Sequence, residues 1–131
     1  MHGQLGGDGD GRGRSHTVGT DDAGPPGHRD FVELARFNAG SVGVFRCGPY
    51  ESPWEIHAHD DELLFVLEGE VVLTVLTEGD PIVATVGPGE AFVVPKGHWH
   101  KHEVAERLVE LYATPGGTVH ADPGVEDPRE V

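Results

Sequence analysis

Residues 54–69 read WEIHAHDDELLFVLEG, and they combine candidate metal ligands with strand periodicity. His57 and His59 are two residues apart, so in an extended strand their side chains point to the same face. The two aspartates that follow are typical of a turn, and Glu62 then opens the apolar run 63–67. If this run pairs back on the first strand, Glu62 reaches the face of the two histidines. Two imidazoles and a carboxylate on one face suit a first-row divalent metal.

A second stretch, residues 87–102, reads GPGEAFVVPKGHWHKH. Its apolar run 91–94 predicts a short strand, and the Pro-Lys-Gly that follows predicts a turn. Three histidines then alternate along the chain, and they share one face if this segment is a strand. One of them is the natural fourth ligand of the same metal. These histidines are His98, His100 and His102.

Composition narrows the classes of partner. The formal net charge is -14, from 9 basic and 23 acidic residues, and the sequence contains no basic cluster. This pattern argues against nucleic acid and against an anionic membrane surface as partners. The one cysteine, Cys47, excludes an intrachain disulfide and fits a reducing compartment. No signal-peptide core is visible at the start, and no apolar run is long enough for a bilayer, so we expect a cytoplasmic protein.

Changes in composition divide the chain into three parts. Residues 1–29 are rich in Gly and Asp and lack apolar periodicity, so we expect a flexible tail. Residues 30–115 carry the apolar runs and form the predicted domain. Residues 116–131 are acidic and contain prolines, and we expect them to be loose.

Short apolar and β-branched runs recur through the central part and are separated by Gly and Pro turns. Residues 31–37 fit either a first strand or a single helical turn, whereas the runs 42–47, 71–77, 82–86 and 107–113 are typical of strands. No segment has a convincing long helical period. The pattern therefore predicts an all-β protein, built as a small antiparallel barrel or sandwich.

The two histidine stretches resemble the two motifs of the cupin superfamily, in the form of its small single-domain (type-2) members. The first cupin motif runs Gly, five residues, His-x-His, three or four residues, Glu, six residues, Gly. It is similar to His57–His59, Glu62 and Gly69. Two residues separate His59 from Glu62, one fewer than usual, which leaves Asp61 as an alternative to Glu62. The upstream glycine of the motif is also replaced, by Glu51.

The second cupin motif runs Gly, five residues, Pro-x-Gly, two residues, His, three residues, Asn. It is similar to the segment from Gly89 through Pro95–Gly97 to His100, with Val104 in place of the final Asn. The resemblance covers about residues 31–113.

This resemblance implies a jelly-roll barrel whose interior holds a metal. By the same resemblance the ligands are three histidines and one carboxylate: His57, His59, Glu62 and His100. The implied metal is a divalent ion of iron, manganese, nickel or zinc. A small-molecule substrate or ligand is the implied partner, and a homodimer that exchanges or pairs the strand near residues 31–37 is also implied.

His98 and His102 are the candidates for a catalytic role beside the metal. Either residue is compatible with a general base or with a hydrogen-bond donor behind the ligands. The simpler interpretation places His98 in a solvated turn and His102 at the polar end of a strand, and the sequence leaves both open.

Two functions follow from these features. The first is a metalloenzyme of the dioxygenase, isomerase, lyase or decarboxylase type, because a metal with open positions binds water, a chelating substrate or dioxygen. The second is a non-enzymatic module that senses a metal or binds a small ligand. The sequence favours the enzyme without naming its reaction, since one fold and one ligand set serve many chemistries.

Overall fold

The computed structural model describes residues 7–18 and 29–130, and nearly all of the regular structure in this part of the chain is β. A short helix, α1 (Gly7–Asp10), precedes the strands, and a 3-10 helix (Pro128–Glu130) follows them. No helix in the described ranges is long and apolar enough to cross a membrane. The strands are β1 (Arg29–Phe37), β2 (Gly40–Cys47), β3 (Tyr50–Glu51), β4 (Glu55–His57), β5 (Glu62–Gly69), β6 (Val71–Val75), β7 (Ile82–Val86), β8 (Ala91–Val94), β9 (His100–Val104), β10 (Leu108–Thr114) and β11 (Thr118–His120).

The strands form two antiparallel sheets that enclose one core. The five-stranded sheet has the order β1-β2-β10-β5-β8, and the second has the order β11-β4-β9-β6-β7, with β3 paired to β9. Each sheet turns an apolar face inward, and the two faces together form the core of a jelly-roll barrel. The predicted all-β jelly roll is confirmed. The buried core residues are Phe45, Cys47, Leu64, Val66, Val71, Leu73, Val86, Val94, Val104 and Leu108.

The segment whose conformation the sequence left open is an edge strand. β1 pairs antiparallel with β2 from Arg29 to Phe37, with one bulge between Glu33 and Ala35. Cys47 ends β2 and is fully buried. Burial raises the pKa of its thiol to about 11, so the thiol stays protonated and serves as a small apolar core residue.

Part of the predicted flexible tail contacts the barrel. Residues 1–6 and 19–28, with His2 and His28, lie outside the described residues. Within residues 7–18, however, Gly11 is buried and its backbone lies so close to the Leu34 carbonyl of β1 that a side chain would overlap it. The sequence gives no indication of this contact, because the backbone of a glycine makes it and no apolar side chain takes part.

The described part of the C-terminal segment, which composition predicts to be loose, contacts the barrel. Gly117 adopts a positive φ of 75°, after which β11 pairs antiparallel with β4. Farther on, the Trp54 indole Nε1 donates to the Glu126 carbonyl at 3.1 Å, and Arg129 Nη1 donates to the Thr77 carbonyl at 2.8 Å. The edge of β4 is the hydrogen-bonding partner of β11, and the composition of residues 116–131 gives no indication of this pairing. We call residues 118–130 the C-terminal strap.

Gly69 ends β5 at a point where two chain segments touch. Its φ is +78°, and a Cβ at this position would overlap the carbonyl oxygen of Arg107. Glycine is therefore required here both by backbone conformation and by space. Gly89 has a similar φ of +81° but nothing within 4 Å of an added Cβ.

We expect Gly69→Ala to destabilise the barrel more than Gly89→Ala. Both variants carry the cost of a left-handed alanine, about 1–2 kcal/mol. Gly69→Ala must also displace backbone, which adds roughly 1–3 kcal/mol. Urea unfolding of the two variants measures the difference, and equal midpoints would contradict the close approach of Arg107.

Candidate metal centre

β4 presents two potential ligands on one face. Glu55 and His57 are two residues apart on this strand, so both side chains point into the barrel, where His57 is 3% exposed. Across the sheet, Glu55 lies directly opposite His100, the first residue of β9. The Glu55 carboxylate and the buried His100 imidazole thus meet as a cross-strand pair.

Glu62 enters the same region from the other sheet. It is the first residue of β5, is 5% exposed and pairs with Val94 of β8. The Gly97 amide donates to the His57 carbonyl at 2.8 Å and so joins the Pro-Lys-Gly turn to the end of β4. The Lys96 amide donates to Asp61 Oδ1 at 2.9 Å, so Asp61, the alternative ligand, caps this turn instead.

Four donor atoms form a ring in which nitrogen and oxygen alternate. His57 Nε2 lies 3.2 Å from Glu62 Oε1, and that oxygen lies 3.3 Å from His100 Nε2. Glu55 Oε1 lies 3.0 Å from His100 Nε2 and 3.6 Å from His57 Nε2. One ligand atom of each of the four residues lies within 4.8 Å of those of the other three.

The spacing and the chemistry of this ring fit a first-row divalent metal. Two bonds of about 2.1 Å to one ion place their donor atoms about 3.0 Å apart at a right angle and about 3.4 Å apart at a tetrahedral angle. Three sides of the ring, at 3.0, 3.2 and 3.3 Å, fall between these values, and the fourth, between Glu55 and His57, is slightly longer at 3.6 Å. Two carboxylates also balance the charge of a divalent ion, and imidazole with carboxylate suits manganese, iron, nickel or zinc.

His59, predicted as a ligand, is not brought to this cluster. Its side chain is exposed, and it lies in the bend after β4, which ends at His57. The alternation of a strand does not extend through that bend, so His57 and His59 do not share a face. Glu55, which the sequence reading missed, occupies the position two residues before His57 instead.

Groups behind the ring orient the two histidines. Thr118 Oγ1 of the C-terminal strap lies 2.8 Å from His57 Nδ1, and the His98 carbonyl lies 3.3 Å from His100 Nδ1. When Nδ1 carries the proton and donates it to these oxygens, Nε2 is left with the lone pair that a metal needs. On the same strap, His120 Nε2 lies 3.0 Å from Glu55 Oε2.

Without a metal, protons hold the ring together. Burial opposes the charged form of His57 and His100, but hydrogen bonds to Glu55 and Glu62 outweigh it and raise the pKa of each histidine to about 9. Burial likewise acts to raise the pKa of both glutamates, yet the same hydrogen bonds leave each pKa below its usual range. The cluster therefore binds protons where a cation would otherwise lie.

The ring borders a cavity of about 360 Å³ inside the barrel. Glu55, His57 and Glu62 line one part of its wall, and His102 and Glu110 line another. Aromatic and apolar side chains complete much of the wall, which makes the cavity suitable for a small molecule next to the ring.

The two catalytic candidates lie in different environments. His102 is 8% exposed and its Nε2 lies 3.1 Å from Glu110 Oε1. Burial acts to lower the pKa of His102, but the Glu110 carboxylate raises it overall. His98 precedes β9, is partly exposed, and its Nδ1 lies 2.9 Å from the Leu76 carbonyl outside the cavity wall. Only His102 of the two borders the cavity.

Comparison with known proteins identifies the family. The family model described as Cupin domain matches residues 43–114, more than half of the chain. This chain belongs to the cupin family. A comparison with curated proteins finds no match.

Solved structures share the fold of this cupin. A cupin-2 domain protein from Shewanella frigidimarina is 28% identical, with a TM-score of 0.52 over 66% of this chain and 79% of that one. A cupin superfamily protein from Desulfitobacterium hafniense is 19% identical, with a TM-score of 0.59 over 76% and 83% of the two chains. A recombinant oxalate oxidase in complex with glycolate is 18% identical, with a TM-score of 0.63 over 82% of this chain and 62% of that one. The cupin therefore spans less than two thirds of the length of that oxidase.

The structure realigns the first cupin motif by two residues. Glu55-Ile56-His57 takes the place of His-x-His, and four residues then separate it from Glu62. This register removes the shortened spacing and keeps the six residues before Gly69. The spacing of four residues between His57 and Glu62 is the feature of the sequence that could have identified Glu55 as a ligand. His59 favoured the other alignment, because it completes a His-x-His pair with His57.

We expect Thr118→Val to weaken metal binding about 10–100-fold, because an orienting partner of a metal-bound histidine has this effect when removed. Valine keeps the shape of threonine but loses the oxygen at His57 Nδ1. Titration with zinc against a competing chelator measures the affinity. Thr85→Val, on the exposed side of β7, is the matched control and should bind as the wild type does. Equal affinities of the two variants would contradict the role of the strap.

We expect the metal-free protein to lose stability as the pH rises from about 6.5 to about 9. The folded pKa of His57 and His100 lies above the unfolded value, so their stabilising contribution is complete below pH 6.5 and disappears as the pH rises through about 9. The loss should be on the order of a few kcal/mol.

Thermal unfolding of chelator-treated protein across this pH range measures the loss. A Glu55→Gln, Glu62→Gln double variant removes the carboxylates that raise the pKa of the two histidines, so its stability should change much less with pH. Cys47, whose pKa is also raised, is unchanged in this variant, so any pH dependence from its thiol is present in both proteins. A variant profile as steep as that of the wild type would contradict this origin of the pH dependence.

Proposed function

We propose that this cupin is a metal-dependent enzyme that acts on a small oxygenated molecule, with the metal held by Glu55, His57, Glu62 and His100. The observation that carries the proposal is that the ring of donors borders the cavity. A purely structural metal site is closed by protein ligands, whereas a catalytic one keeps positions open to a ligand. Four protein donors on a six-coordinate ion leave two positions for this purpose.

When bound, the metal supplies a Lewis acid, or with iron or manganese a centre for dioxygen chemistry. The protein residues supply orientation and exclusion of water. Thr118 and the His98 carbonyl hold the two imidazoles, and His120 holds the outer oxygen of Glu55. The apolar part of the wall shields one side of a bound molecule from solvent, which strengthens its electrostatic interactions with the ring.

The reaction class stays among dioxygenase, isomerase, lyase and decarboxylase chemistry. One protein of similar fold, the oxalate oxidase, carries glycolate in its structure. This observation supports small hydroxy acids and dicarboxylic acids as the first compounds to screen for turnover.

The predicted homodimer and the predicted cytoplasmic location remain predictions. Exposed apolar side chains on the edge strand β1, with Val32 at 40% and Phe37 at 53% exposure, support the dimer. Such side chains are commonly covered by a partner when they form a patch.

Elemental analysis of the purified protein tests the metal site directly. We expect near-stoichiometric metal in the wild type, either as purified or after incubation with iron, manganese, nickel or zinc. The His57→Ala, His100→Ala double variant and Glu55→Gln should lose it, because each removes donors from the ring. The control is His59→Ala, which removes an exposed histidine and should keep the metal.

Metal loss in His59→Ala with retention in Glu55→Gln would contradict the ligand set. A wild type that stays empty with all four ions would overturn the metalloenzyme. Metal and ligand binding with no turnover of any screened compound would move the function to the non-enzymatic binding module.

A further inference from the structure

A buried carboxylate that is not part of the metal ring also borders the cavity. Glu110 lies on β10 and is only 2% exposed. Its Oε1 accepts a hydrogen bond from His102 at 3.1 Å, whereas its Oε2 has no hydrogen-bond partner within the described part of the chain. Because the terminal torsion of a carboxylate is broad, either oxygen can turn toward the cavity.

Glu110 occupies a position that the fold otherwise gives to apolar residues. Across the sheet it pairs with Phe45 of β2 and with Val66 of β5, both of which are buried in the core. The pairing of β10 with β5 shifts register between Val109 and Glu110. Bulges of this kind redirect side chains and are common beside active sites. A valine or leucine would complete this row at lower cost, since an ionised carboxylate accepts several hydrogen bonds and is expensive to bury with one unmet.

Aromatic rings line the cavity around Glu110. Phe31 stacks on Phe45 with ring centroids 4.4 Å apart, and Phe45 lies edge-on to the His102 ring at 6.4 Å. Tyr50 and Tyr112 also line the cavity, and each contacts one of the two phenylalanines. This wall suits a flat apolar body, because such rings stack and exclude water.

We propose that Glu110 accepts a hydrogen bond from an O–H or N–H group of the molecule bound in the cavity and so determines ligand specificity. The ligand class is then a small molecule with a flat apolar body, an oxygen at the metal and a separate hydrogen-bond donor. The metal-binding oxygen in this ligand class rests on the proposed function. The hydrogen-bond donor does not, since it is inferred from the contacts of Glu110 itself. His102 holds Glu110 in place as a positioning residue.

The probes are 3-hydroxybenzoate and 4-hydroxybenzoate, each compared with the methoxybenzoate of the same substitution. Each pair keeps the carboxylate, the ring and the ether or hydroxyl oxygen, and the methoxy compound lacks the donor hydrogen and carries an added methyl group. The Glu110→Gln variant separates the two effects, because it reverses the polarity at this position without changing its size. Calorimetry on zinc-loaded wild type should show at least one hydroxybenzoate binding about tenfold or more tighter than its methoxy partner, since pockets built around a hydroxyl reject analogues that lack it.

Glu110→Gln provides the decisive variant. Its amide oxygen accepts the His102 hydrogen bond and its NH₂ group then faces the cavity as a donor, so the hydroxyl preference should disappear or reverse. The matched control is Glu106→Gln, which changes an exposed carboxylate and should keep the wild-type preference. Retention of the preference in Glu110→Gln overturns the proposal.

Equal binding, or no binding, of the paired compounds to the wild type also overturns it, whether or not the variant folds. Failure of the proposed metal site appears separately, as absence of metal in the wild type. The same comparison on metal-free wild type then decides the inference, since a hydroxyl preference there supports Glu110 without the metal.

Discussion

Two carboxylates and two imidazoles meet in a cluster of which three members are buried and Glu55 is partly exposed, and the barrel must compensate their charges. Without a cation, the two carboxylates would repel one another inside a low-dielectric interior, at a cost that few contacts can offset. The structure answers with alternation, because every side of the ring joins a histidine nitrogen to a glutamate oxygen. Protons on the histidines or a divalent ion can each satisfy this arrangement, and the raised pKa values of the histidines express that competition.

The pairing of β4, β5 and β9 with their neighbours brings these four side chains together. β4 is only three residues long, yet it carries two members of the ring and pairs with β9 and β11. The Gly97 amide joins the turn before β9 to the end of β4, and the C-terminal strap covers the opposite edge of β4. The strap is therefore part of the site, since Thr118 and His120 contact two of the four ring residues.

Two polar groups and an aromatic wall line the cavity. One group is the ring of donors, and the other is the pair of His102 and Glu110. As proposed, the ring holds the metal and Glu110 on β10 selects the ligand, and β9 contributes to both groups through His100 and His102. Such a separation allows one cupin scaffold to change its ligand without changing its metal.

Local patterns in the chain were sufficient for the fold and for much of the ring. Strand alternation and Gly and Pro turns predict a small all-β barrel or sandwich, because these signals act over a few residues and depend little on distant partners. The resemblance of the two motifs to those of cupins implies the jelly roll and includes His57, Glu62 and His100 among the ligands. His59 shows where such signals end. Alternation holds only while the strand continues, and β4 stops at His57.

Glu55, the C-terminal strap and Glu110 depended on contacts between distant segments. In the sequence Glu55 has no feature that distinguishes it from a solvated glutamate, and its role depends on β9, which places His100 opposite it. Residues 118–120 form a segment too short to be predicted as a strand from its sequence, and it becomes one because it pairs with the edge of β4. Glu110 is one polar residue in an apolar run, and the pairing of β10 with β2 and β5 places it beside the cavity. In each case the deciding partner lies far along the chain, and its position is set by sheet register, which no local pattern specifies.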